Sequence, residues 1–340
     1  VTGTPGANEI TRDADLVIGI GTRYSDFTTA SKTAFQNPDV RFININVAEF
    51  DSYKQSALAV TADARVTLEE LYGLLGDFRV SDEYRSLAAH LSSDWDKLVS
   101  EFYRVSGEIP VPQAEVVGAV NDAAGERDVV LCAAGSLPGD LHKLWRTTDP
   151  KGFHLEYGYS TMGYECAAGI GAKLACPDRE IFVMVGDGNY LMMNNEIVTA
   201  IQEGVKFIII LLNNNGFGSI GNLSQSVGSE RFGTRYRYRD EKTGQLSGGI
   251  LPVNFAQNAR SLGAVVYESH DIDSLKNALA DAKNQTVTTV ITIETDLYKG
   301  IPGYAWWEVA VSEVADIDTV KEAYRKYLEE KKKQRYYLNS

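Results

Sequence analysis

Short runs dominated by Val, Ile, Leu and Phe recur along the chain at 16–20, 42–47, 129–133, 181–185, 207–212, 265–268 and 289–293. Most are near-continuously apolar rather than alternating, the pattern of strands buried on both faces. The segments between them carry helical signals. Residues 112–124 open on Pro112 and stop at Gly125, and 161–175 are followed by Pro177. Residues 194–203 start on a capping Asn194 and end at Gly204, and 252–262 end at Gly263. Strand and helix in alternation predict an α/β fold of parallel sheets with crossover helices.

Residues 1–78 hold two clear strands, too few for an α/β sheet of their own, and read as half of a domain. Residues 79–110 are charged and helical, a connector. Residues 111–298 hold five strands and form a complete α/β unit. Residues 299–340 begin with a Gly/Pro-bounded segment containing Trp306 and Trp307 and end in a charged helix around 320–335. The chain opens on Val1 in a Gly- and Pro-containing loop, with no basic or apolar leader. The expectation is a cut inside a larger protein.

Composition narrows the partners. The 340 residues carry a net charge of −13, which argues against nucleic acid and against anionic membrane surfaces. The longest purely apolar run, 207–212, is far short of a membrane span. Cys132, Cys166 and Cys176 show neither disulfide-framework nor zinc spacing, which suggests a reducing cytoplasm.

Two strand ends carry candidate chemistry. Gly186-Asp187-Gly188 follows the 181–185 strand, and Asn213-Asn214-Asn215-Gly216 follows 207–212. Open parallel sheets bind ligands at that edge. Asp187 and Asn214 are 27 residues apart, a strand–helix–strand crossover that returns the chain to the same edge. A carboxylate, an amide oxygen and a nearby backbone carbonyl suit a diphosphate-bound Mg²⁺. Taken alone, Gly-Asp-Gly is most often only a turn. The spacing favours Asn214 over Asn213 or Asn215 as the ligand.

The span from Gly186-Asp187-Gly188 to Asn213-Asn214 resembles the signature of the thiamine-diphosphate-dependent enzyme superfamily. Ser160-Thr161-Met162-Gly163 and Gly169-Ile170-Gly171-Ala172 are similar to the segment that precedes that signature in its acetolactate-synthase-like members. The resemblance implies a parallel-sheet thiamine-diphosphate-binding domain preceded by part of a Rossmann-like central domain, the latter running from Ala14-Asp15-Leu16 to Phe42-Ile43-Asn44. It implies that Asp187, Asn214 and Gly216 hold Mg²⁺. It further implies that Gly135, Ser136, Leu137, Ser160, Met162, Gly188 and Asn189, with those three, surround the cofactor. Met162 would support the bent cofactor, and the backbone at Ser160 and Met162 would bond its aminopyrimidine ring. Gly135-Ser136-Leu137-Pro138-Gly139-Asp140-Leu141, Phe153-His154-Leu155-Glu156-Tyr157-Gly158-Tyr159, the 235–239 stretch and Trp306-Trp307 resemble a branch that opens a cyclic dione hydrolytically. By that resemblance no catalytic residue lies in this chain. The activating glutamate is expected in a pyrimidine domain supplied by the protein's own N-terminal half and a second subunit. Two alternatives stand: another acetolactate-synthase-like or lyase activity, and a non-catalytic cofactor-binding fragment.

Other candidates have plainer readings. Glu165 and Glu196 lie on helices near the motifs, and Glu196 falls in a first turn that favours a carboxylate. Gly19-Ile20-Gly21-Thr22-Arg23-Tyr24 lacks the third glycine of a dinucleotide fingerprint. His154 precedes the Met162 segment, and a packed or solvated histidine is its default. The basic group Arg231, Arg235, Arg237 and Arg239 reads as a solvated loop or a subunit contact, with an anion-orienting loop as the sharper reading.

Overall fold

A computed structural model describes residues 3–156 and 158–337; Tyr157 of the 153–159 motif lies outside the described residues. The chain divides into two compact units, Val1–Leu98 with Pro302–Ser340, and Val99–Ile301.

The first unit is built on a three-stranded parallel sheet of order β1-β2-β3, formed by Leu16–Ile20, Arg41–Asn46 and Leu58–Thr61. Its small core is aromatic. Phe42 meets Phe35 edge-on at 5.2 Å and Tyr24 at 6.3 Å, and the Tyr24 hydroxyl donates to Asn44 Oδ1 at 2.7 Å. The opposite face of β1 leaves Leu16, Ile18 and Ile20 exposed. The C-terminal segment returns to this unit. Trp307 packs on Phe27, the Glu308 N–H donates to Ser31 Oγ, and Gln334 donates to the Ser31 carbonyl. The charged terminal helix spans Asp318–Lys331 and stops short of the expected 335.

The second unit carries a six-stranded, wholly parallel sheet of order β5-β4-β6-β7-β9-β8. In chain order these are β4 Val129–Cys132, β5 Phe153–Leu155, β6 Ile181–Gly186, β7 Ile208–Asn213, β8 Val265–Ser269 and β9 Thr289–Glu294. The side chains of Ile181 to Val185 and of Ile208 to Leu211 are completely buried, as their unbroken apolar runs require. Helices cover the sheet, among them Gln113–Ala123, Tyr164–Ala175 and Ile272–Lys283. From β4 the chain passes to β5 on one side and then to β6 on the other. The strand order therefore reverses between β4 and β6, the position at which open parallel sheets place their ligands.

Two short strands, β3 and β5, were not expected. Each sits at a sheet edge and is only four and three residues long. The helix expected from 161 begins at Tyr164, because Ser160 (φ 51°) and Gly163 (φ 86°) adopt left-handed backbone that no helix continues through. The helix expected over 194–203 is Glu196–Gln202, preceded by a separate helix at Asp187–Met193.

Candidate active site at the carboxyl ends of β4, β6 and β7

β6 and β7 are adjacent and parallel, with Gly186 paired to Leu212, so their outgoing loops emerge side by side. Asp187 is 1% exposed. One carboxylate oxygen accepts from the Gly188 N–H at 2.7 Å, and the other accepts from the Gly216 N–H at 3.0 Å. Burial pushes its pKa up to about 6, although the surrounding backbone N–H groups of Gly216, Gly188, Asn215 and Asn214 pull the other way. The Oδ1 atom of Asn214 is buried and has no hydrogen-bond partner among the described residues. Buried amide oxygens are rarely left so, and this one is open to a ligand. Its neighbours serve the loop instead. Asn213 Oδ1 accepts from the Asn215 N–H at 3.1 Å, and Asn215 itself has φ 61°, a conformation asparagine tolerates.

The glycines here mark close approaches. A Cβ on Gly216 would lie 2.3 Å from the Thr234 carbonyl oxygen and 2.9 Å from the Arg235 Cα. Residues 234–236 run antiparallel against this loop: Gly216 bridges to Arg235, and the Phe217 N–H donates to the Thr234 carbonyl at 2.8 Å. A Cβ on Gly188 would strike the Phe217 ring at 2.7 Å.

The loop after β4 joins the same place. Gly135 has φ 104°, and Ser136 immediately precedes the helix Leu137–Leu144 without a side-chain capping bond. A Cβ on Gly218 would lie 3.4 Å from Asn214 Nδ2 and 4.0 Å from Ser136 Oγ, so the Ser136 and Asn214 loops converge there. The Leu137 side chain is buried, which leaves only its backbone for a ligand. Asn189 is also buried, and its amide nitrogen donates to the Ala134 carbonyl at 2.9 Å and to Glu165 Oε1. Glu165 Oε1 further accepts from the Ala134 N–H at 3.4 Å. Sequence reasoning gave Glu165 an ordinary helical role. It is completely buried instead, and it ties the β4 loop, the β6 loop and the start of its own helix together. Desolvation raises its pKa, offset in part by the Asn189 hydrogen bond. The signal in the sequence was a charged residue at a helix position flanked by Cys166, Ala167 and Ala168.

The segment at 160–163 packs on the end of the helix after β6 through its glycine. A Cβ on Gly163 would lie 2.7 Å from Met193 Cγ, at the end of the helix that Asp187 begins. Met162 beside it is half-buried. Glu156 shapes the turn by accepting the Tyr159 N–H at 3.0 Å and the Thr161 N–H at 2.7 Å, which lowers its pKa. His154 is accounted for by Tyr164, whose hydroxyl lies 2.8 Å from Nε2 with the rings stacked. Glu196 sits at its helix start beside Asn195, and Arg231 bonds Asn222 and Gln225.

Asp187, Asn214 and Gly216 thus lie on two adjoining loops that offer a buried carboxylate, an unpartnered amide oxygen and a backbone carbonyl, the kinds of oxygen a hard divalent cation takes. Among the described residues no cluster of three or more His, Cys, Asp or Glu could hold a metal ion. A cation here would therefore need a ligand's own oxygens to complete its shell. The unpartnered Asn214 oxygen beside the Asp187 carboxylate fits a Mg²⁺-bound diphosphate such as that of thiamine diphosphate. Among the described residues no helix is long and apolar enough to cross a membrane.

Comparison with known proteins agrees with this geometry. Residues 133–293 match the thiamine pyrophosphate enzyme C-terminal TPP binding domain, and residues 1–71 match the thiamine pyrophosphate enzyme central domain. A 3D-(3,5/4)-trihydroxycyclohexane-1,2-dione hydrolase from Bacillus cereus is 41% identical over 99% of this chain and 56% of its own length. One of the same name from Bacillus thuringiensis is 42% identical over 95% of this chain and 54% of its own. The chain spans about half the length of the curated relatives it matches. With the signature, the parallel sheet and both domain matches in place, the chain belongs to the thiamine pyrophosphate enzymes, of which it carries the central and C-terminal TPP-binding domains.

Proposed function

We propose that this chain supplies the Mg²⁺ and diphosphate grip of a thiamine-diphosphate-dependent hydrolase that opens a trihydroxycyclohexane-1,2-dione ring to 5-deoxy-glucuronate. The observation that carries the reading is the unpartnered Asn214 Oδ1 beside Asp187 and Gly216 at the carboxyl ends of β6 and β7. Asp187, Asn214 and the Gly216 carbonyl hold the metal. Gly135, Ser136 and the Leu137 backbone, with Gly188, surround the diphosphate. Asn189 supports this surface from behind through Ala134. Met162 and the backbone at Ser160 orient the cofactor rings. Residues 111–298 act as the diphosphate-binding domain and 1–78 as part of the central domain, with 79–110 a connector and 299–340 a tail.

When bound, thiamine diphosphate supplies an electron sink for C–C bond cleavage. This chain's residues hold and orient it and keep its anionic end neutralised. The acid that activates the cofactor comes from a pyrimidine domain outside residues 1–340, contributed with a second subunit. The three unpaired cysteines fit a reducing cytoplasm.

The test is a coupled assay for 5-deoxy-glucuronate with the 340-residue chain, at saturating cofactor and Mg²⁺, with and without the N-terminal half. Turnover is expected only with that half added. Turnover of pyruvate in place of the cyclic dione would favour an acetolactate-synthase-like activity. Robust turnover by the 340-residue chain alone would overturn the division of labour and direct attention to Glu165 and Glu196.

A further inference from the structure

The segment after the metal-side loop contains a buried donor that none of the roles above uses. The Tyr236 N–H donates to the Asn215 carbonyl at 3.1 Å, which stitches residues 234–236 along residues 215–217. Its ring meets Phe217 edge-on at 5.7 Å, and the Phe217 ring in turn lies against Gly188. The Tyr236 hydroxyl is 3.4 Å from the point a Cβ on Gly188 would occupy. That hydroxyl is buried and has no hydrogen-bond partner among the described residues. A tyrosine hydroxyl is a neutral O–H donor at ordinary pH.

A buried hydroxyl with no partner is costly, and phenols in protein interiors ordinarily find one. Asn214 Oδ1 and Tyr236 Oη are thus two of the unpartnered polar atoms in the loops around one buried carboxylate, Arg235 Nε being another. The amide oxygen is an acceptor that a cation satisfies. The phenol is able to donate, and an anionic oxygen satisfies it.

We infer that Tyr236 is a ligand-binding residue of this site, its hydroxyl donating to a diphosphate oxygen of the bound cofactor. The inference rests on the reading of the preceding subsection and adds to it a residue from the 235–239 stretch. The neighbouring arginines are not needed for it. Along an extended segment Arg235 and Arg237 project to the side opposite Tyr236.

The experiment uses the full 340-residue chain and its Tyr236→Phe variant, which keeps the ring and removes one oxygen. Each is titrated calorimetrically with thiamine diphosphate and, separately, with inorganic pyrophosphate, both in excess Mg²⁺. The expected result is Kd raised about tenfold for both probes, the scale of one hydrogen bond to a charged group. The melting temperature of the ligand-free variant should equal or exceed that of the parent, because the hydroxyl removed had no partner. A parent and variant that bind both probes within about twofold of each other would overturn the inference and leave the site reading standing. A ligand-free variant that melts lower while binding unchanged would also overturn it, assigning the hydroxyl to the fold. A parent chain that binds neither probe would overturn the site reading itself, and this inference with it.

Discussion

Asp187 Oδ2 and the Gly216 amide nitrogen lie 3.0 Å apart, although 29 residues separate them in the chain. The bond is possible because β6 and β7 are neighbours in register, so the two loops leave the sheet at the same level. It sets the Gly216 peptide against the carboxylate and leaves the Asn214 amide oxygen free. The loop variants should separate accordingly. Asn214→Ala should weaken Mg²⁺–thiamine diphosphate binding strongly without lowering the melting temperature of the ligand-free chain, since the lost oxygen had no partner. Asp187→Ala should abolish binding. Asn215→Gly should bind like the parent, because glycine takes positive φ freely. Calorimetric titration and thermal melts of the three variants check this, and an Asn215→Gly variant weaker than Asn214→Ala would refute the assignment.

Gly216→Ala should be among the most damaging single substitutions in the second unit. The new methyl would meet backbone atoms of Thr234 and Arg235, which cannot rotate away. The two paired segments would have to part, at about 2 kcal/mol or more. Urea denaturation measures it; a variant as stable as the parent would contradict the contact.

At Gly188 the obstacle is a side chain rather than backbone, namely the Phe217 ring. Gly188→Ala should therefore destabilise, and Phe217→Leu in the same chain should recover part of the loss. A double-mutant cycle should show a favourable coupling of about 1 kcal/mol, as expected for residues in contact. Strict additivity would mean that the ring does not confine position 188.

Glu165 gives a pH signature. Its folded pKa is raised above the ordinary 4.5 by burial, so the folded protein holds this proton more tightly than the unfolded chain. Its contribution to stability is full below that ordinary value and is lost as pH rises through the folded one. Glu165→Gln keeps an oxygen for Asn189 and Ala134 but does not titrate. The stability of the parent relative to Glu165→Gln should therefore decline as pH rises above the ordinary value of 4.5. Glu165→Ala should destabilise by about 2–4 kcal/mol at low pH, by leaving a cavity and unpaired donors, and by less as pH rises. Denaturant titrations at rising pH provide the comparison; a flat difference between parent and Glu165→Gln would remove the buried-acid assignment.

The interior strands and the adjacency of the Asp187 and Asn214 loops were legible in the sequence, for one reason. Strands buried on both faces must be largely apolar, and β4, β6 and β7 are, while β9 mixes Val290, Ile291 and Ile293 with threonines. The spacing from Asp187 to Asn214 equally required neighbouring parallel strands, and β6 and β7 pair. The edge strands β3 and β5 were illegible because four and three residues, with His154 in the middle of β5, hold too little pattern to read. The left-handed turns at Ser160 and Gly163 shifted a helix start by three residues, since only the glycine announces itself. The burial of Glu165 and the placement of Tyr236 were not legible because their surroundings are assembled by tertiary contact. Glu165 meets Asn189 across 24 positions, and Tyr236 lies beside Gly188 only after its segment has folded back on the loop at 215–217.

The buried link between Glu165 and Asn189 has a consequence for descent with modification. Neither side chain can change alone without stranding a polar group of the other inside the protein. The two positions should therefore drift as one inherited unit. Lineages that replace the acid at 165 with a small or apolar residue should also replace the amide at 189. Those that retain either should retain both.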